Sequence, residues 1–133
     1  MKTKPCLMLD DCKKMIAACE AEARRNEWNV VIVIVDDGGH LLMLERMDGA
    51  TPANAEIALQ KGRTAAISRS PTRIWEERIV AGRMSTLSMP LLAVQGGIPL
   101  LHQGECVGAI GVSGVQSPQD EQIAQAGAAA LDS

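Results

Sequence analysis

The chain of 133 residues carries a net charge of −3, with 47% apolar residues, two Trp and neither Phe nor Tyr. That length fits one domain, residues 1–133, but its many Ala and Gly residues bury little area each, so subunit association is expected to supply part of the missing burial. The scarcity of rings excludes a stacking platform for single-stranded nucleic acid, and the acidic balance excludes a polyanion binder.

Lys2 and Lys4 precede a short apolar stretch that Asp10 and Asp11 cut off, too short for the core of a secretory signal. The longest aliphatic run, Val30 to Val35, is far below the ~18 residues a membrane helix needs, so the chain reads as cytoplasmic, with no membrane partner. Asp10 or Asp11 can cap a first helix, along which Cys12, Met15, Ile16, Cys19 and Ala23 recur at helical spacing. The four cysteines, Cys6, Cys12, Cys19 and Cys106, contain no Cys-x-x-Cys pair and read as reduced thiols.

Asn29 to Val35 is a β-branched run without a polar face, hence a central strand; Asp36–Gly39 turns the chain and Leu41 to Met47 returns as a second strand. Thr51 and Pro52 open a helix to about Ser68, its inner stripe made of Ala55, Ala58, Leu59, Gly62, Ala65 and Ala66. Ser70-Pro71 breaks it, and Thr72 caps a shorter helix ending at Gly82. Leu91 to Val94 is expected as a short strand, followed by a hairpin of Ile98 to His102 and Cys106 to Ser113. Ser117-Pro118, with Asp120 in the manner of a capping box, begins the last helix. The order α-β-β-α-α-β-β-β-α, with hairpin connections, predicts an α+β fold built on a mainly antiparallel sheet.

Several patterns bear on chemistry. Gly108–Gly114 has neither dinucleotide-fingerprint nor P-loop spacing, and the acidic start of the next helix repels anions; its glycines suit close approach of a helix to a strand. Ser113 lacks the nucleophile-elbow context, so no catalytic signature is present and binding is favoured over catalysis. His40 and His102 each flank a turn, as solvated residues or as haem-iron ligands. Both fall at one end of the sheet, three strand spacings or about 14 Å apart, too far to share one metal within a subunit. Residues 61–83 hold Lys61, Arg63, Arg69, Arg73, Arg78 and Arg83 against only Glu76 and Glu77, while residues 84–133 contain no Lys or Arg. This band is either a set of solvated helix faces or a surface for carboxylates. Arg46 and Asp48 either fix a turn between themselves or, with Lys61 and Thr64 on the next helix, wall a polar pocket for a small anionic ligand.

The blocks IVDDGGHLLMLERMDGA (Ile34–Ala50), ALQKGRTAA (Ala58–Ala66), SPT (Ser70–Thr72), GGIPLLHQGECVGAIGVSG (Gly96–Gly114) and QDEQIAQAG (Gln119–Gly127) resemble the GlcG/HbpS family over nearly the whole chain. The family includes proteins of glycolate and diol operons, secreted haem-binding sensors and a domain of corrinoid adenosyltransferases. The resemblance implies a profilin-like fold, with a five-stranded antiparallel sheet flanked by helices, assembling as dimers or larger homo-oligomers. For function it implies a haem- or small-ligand-binding accessory protein, with haem the ligand to test first. The other readings are a small enzyme acting on a short hydroxy- or oxo-acid, with Lys61 or Arg46 holding the carboxylate, and a structural partner of a catabolic complex.

Overall fold

The computed structural model describes residues 1–132. In chain order they form α1 (Leu9–Arg25), β1 (Val31–Asp36), β2 (Leu41–Arg46), α2 (Ala53–Ser68), α3 (Thr72–Val80), a 3-10 turn (Met84–Ser88), β3 (Gly97–His102), β4 (Glu105–Ser113) and α4 (Ser117–Ala129). The strands make one sheet in the order β2-β1-β4-β3, every neighbour antiparallel.

β1 is central because both of its faces are apolar. Val30, Ile32 and Ile34 point into a core shared with Met15, Ile16 and Cys19 of α1 and Ile123 and Ala124 of α4. Val31, Val33 and Val35 point the other way, into a second core with Ala58, Ala65 and Ala66 of α2. The two layers differ in thickness. α2 lies almost backbone to backbone on β4: a Cβ added at Gly111 would stand 2.0 Å from the Ala58 carbonyl oxygen and 2.4 Å from the Gly62 nitrogen. Gly111 thus serves the close helix approach expected of this segment, whereas Gly108 and Gly114 abut the Val35 and Asn29 carbonyls instead.

The sheet has four strands, not the five expected. Leu91–Val94 forms no strand and pairs with none among the described residues, because its amides are satisfied elsewhere. Leu92 donates to the Thr64 hydroxyl at 2.9 Å, while Leu91 and Val94 donate to carbonyls two residues back. The element order is corrected accordingly, a 3-10 turn and a pinned loop replacing the third predicted strand.

Four caps also differ, α4 among them: Gln116, not Ser117, is its cap, and the Gln116 amide donates to Gln119 Oε1 at 3.2 Å in place of a box closed by Asp120. Asp11 lies inside α1 and accepts the Met8 amide at 2.8 Å. The Thr51 hydroxyl accepts the Asn54 side chain at 2.8 Å, and the Thr72 hydroxyl accepts the Gly97 amide at 2.9 Å, so neither holds its own helix. Sequence spacing identifies hydroxyls able to cap; it does not show which distant amide competes for them.

β2 is an edge strand, and Leu41, Leu42 and Leu44 are 51%, 40% and 39% exposed on it. None of the helices among the described residues is long and apolar enough to cross a membrane.

Candidate functional site

The residues selected from sequence separate into three places. Lys61 and Thr64 share a face of α2, as their spacing requires, and that face points inward; each is 2% exposed. The Lys61 ammonium donates to the Val112 carbonyl and to Asp120 Oδ2, both at 3.0 Å. Asp120 Oδ1 accepts the Val115 amide at 3.1 Å. Burial pushes the Asp120 carboxyl up, while the Lys61 charge and the nearby amides pull it back. This buried pair joins α2 to the start of α4, and Thr64 pins the loop beside it.

Arg46 and Asp48 are exposed at the other end of β2. Arg46 Nε donates to the Ala50 carbonyl at 3.2 Å, which braces the turn from within.

The histidines take up the sheet end where the β1–β2 and β3–β4 connections lie, as the register Asp36↔Gly108 and His102↔Glu105 requires. His40 is exposed, and its main-chain amide donates to Asp36 Oδ1 at 2.9 Å. His102 lines a cleft of about 220 Å³. Its Nδ1 lies 3.0 Å from Asp132 Oδ1, an arrangement in which Nδ1 donates to the carboxylate and Nε2 has no partner among the described residues. Around it stand Pro5, Leu7, Val107 and Leu131, with Cys6 and Asp11 as further polar members.

Most of this wall comes from the two ends of the described chain. Residues 1–8 are extended across the sheet end, with Lys2 paired to Glu105 of the β3–β4 hairpin at 2.6 Å and Lys4 to Asp37 of the β1–β2 turn. The Lys4 hydrogen bond is the main influence holding the Asp37 carboxyl below its ordinary range. Composition and spacing identified His102 but not its companions. Asp132 is 30 positions away and Cys6 sits in a segment without periodicity, so no local pattern links them.

Chemically the cleft offers an imidazole nitrogen between an apolar side, made by Pro5, Leu7, Val107 and Leu131, and the carboxylates of Asp11 and Asp132. With its two carboxylates, the cleft disfavours a free anion. Its volume falls below the ~300–1,000 Å³ typical of complete small-molecule sites, so one protomer covers only part of a large ligand. Among the described residues there is no group of three or more His, Cys, Asp or Glu placed to hold a bare metal ion.

A family model described as haem degrading protein HbpS-like matches residues 7–129. Protein GlcG of Escherichia coli (strain K12) is 46% identical over 114 residues, 85% of each chain. Crystal structures of two further proteins superpose closely. One, a double mutant of Streptomyces reticuli HbpS, gives a TM-score of 0.89 at 31% identity over 98% of this chain and 90% of that one. The other, a PduOC:heme complex, gives 0.86 at 28% identity over 96% of each.

Proposed function

The chain belongs to the HbpS-like family, and on that premise we propose that it is a haem- or tetrapyrrole-binding accessory protein, cytoplasmic and homo-oligomeric. The observation that carries this reading is His102, hydrogen-bonded to Asp132 in a cleft of mixed polarity. An imidazole whose Nδ1 donates to a carboxylate turns Nε2 away from that partner, an orientation in which it could ligate haem iron. When bound, haem would supply a ligand-accepting iron; His102 would hold it, with Leu7, Val107 and Leu131 against the macrocycle. His40 is a weaker second candidate, being exposed and outside this cleft.

The cations of residues 61–83 do not serve this cleft. They belong to α2 and its successors, while Asp11, Val107 and Leu131 border the α1/α4 side of the sheet. Exposed Leu41, Leu42 and Leu44 on an edge strand support association, since an uncovered apolar edge favours pairing with another chain.

Titration of the purified protein with haem tests the assignment. A saturable Soret shift is expected, lost or changed in His102→Ala and weakened about 10–100-fold in Asp132→Asn, the usual effect of removing an orienting partner. An identical shift in wild type and His102→Ala would overturn the ligand assignment; no saturable change in the wild type would overturn the haem reading.

A further inference from the structure

The cations of the 61–83 band meet different fates. Lys61 is buried against Asp120. Arg69 donates to the carbonyls of Asp37 and Ala66, Arg73 pairs with Glu77 and Glu121, and the Arg78 guanidinium lies over the Trp75 ring at 4.5 Å. Arg63 is exposed on α2, and among the described residues its guanidinium has no hydrogen-bond or ion-pair partner. It borders a broad, open concavity of about 480 Å³, whose other walls are Gln60, Met89, Pro90, Leu91 and Leu92.

Three features build this place. Gly39, with φ of +85°, leaves room for the Arg63 stem: a Cβ there would lie 2.9 Å from Arg63 Cγ. The Thr64–Leu92 hydrogen bond fixes the apolar wall against α2. Gln60, one helical turn before Arg63, presents its amide on the same side. A guanidinium without an internal carboxylate, at the rim of an apolar wall, complements a ligand with one anionic and one apolar end.

We propose that this concavity binds small monocarboxylates with a short aliphatic body, the carboxylate held in a bidentate grip by Arg63 and supported by the Gln60 amide, the hydrocarbon against Met89, Leu91 and Leu92. The site lies on the α2 side of the sheet, across from the His102 cleft, and is independent of any haem. It also accounts for residues 89–92 leaving the sheet. As a fifth strand they would spend their backbone on pairing; as a pinned loop they stand up beside α2 as a wall.

The test is titration of the intact protein with hexanoate, followed by calorimetry or amide chemical shifts, with hexan-1-ol as the uncharged probe of equal length. Saturable binding of hexanoate is expected, with hexanol about 10-fold weaker or worse, the charge-assisted pair being the main source of discrimination. Arg63→Gln should weaken hexanoate by a similar factor and leave the thermal midpoint unchanged. Arg83→Gln, on the 3-10 turn side of the band, should bind as wild type. Equal binding by hexanol, or undiminished binding in Arg63→Gln, overturns the proposal. So does an Arg63→Gln variant that changes the oligomeric state while hexanoate never binds, which would give the guanidinium to a subunit contact. Haem titration of Arg63→Gln and hexanoate titration of His102→Ala keep the two sites apart, since each should match the wild type.

Discussion

The two faces of the sheet bury their residues by opposite means. On the α1/α4 side, branched and long side chains (Met15, Ile16, Ile32, Ile110 and Ile123) fill a thick layer. On the α2 side, Ala58, Gly62, Ala65 and Ala66 bring a helix backbone directly onto β4. Their polar groups differ too. The cation of the α2 side, Lys61, is neutralised across the layers by Asp120 of α4. The α1 side holds two acids, Glu20 and Glu45, joined by a hydrogen bond, with Glu45 Oε2 buried and without a partner among the described residues. A thick layer of side chains can absorb small changes, whereas a backbone contact has nothing to yield.

The largest expected effect is on the buried pair. Lys61→Met should cost about 3–5 kcal/mol in urea denaturation, because Asp120 is then left charged, buried and deprived of its counter-ion. Lys61→Met combined with Asp120→Leu should recover much of that loss. A double variant as unstable as the single would mean that the Val112 and Val115 contacts, not the charge pairing, hold α4 in place.

A second pair of variants asks whether the two layers differ as their packing implies. Gly111→Ala adds one methyl to the thin layer and should cost up to about 3 kcal/mol, since the atoms it meets are helix backbone. Ile123→Val removes one methylene from the thick layer and should cost about 1 kcal/mol. Equal losses would erase the distinction.

The smallest effect concerns pH. Burial, then the hydrogen bond and charge of Glu20, push the Glu45 carboxyl up to about 7, with the Arg24 charge opposing them. The folded chain therefore holds this proton more tightly than the unfolded one. The resulting stabilisation is complete below the ordinary carboxyl range and is lost as pH rises through about 7. Glu45 is only half-buried, so solvent screens the effect. Glu45→Gln can donate to Glu20 at any pH and should flatten this part of the profile; an unchanged slope between wild type and variant would remove the acid pair as its source.

The fold was legible where side chains report their own surroundings. The all-apolar NVVIVIV segment could only be central, and the small-residue stripe of α2 announced close packing. What escaped was decided by partners far along the chain. Leu91–Val94 reads as a strand by composition, yet Thr64 takes its Leu92 amide. The same limit governs the candidate sites. Lys61 and Thr64 were rightly grouped on one helix face, but nothing in α2 alone says that this face meets Asp120 rather than water. Arg63, two positions after Lys61, points to the outside, where its charge remains available. His102 stood out as one of two histidines, while Asp132, which orients it, looked like any terminal acid.

Pro5–Leu7 and Leu131–Asp132 border the same cleft, so both ends of the described chain converge on His102. Any extension leaving from these segments, an affinity tag included, would start near that imidazole, and a polyhistidine extension would bring competing imidazoles with it. Spectroscopy on tagged material would then report the purification handle as readily as the protein, so the informative sample is one whose tag has been cleaved off.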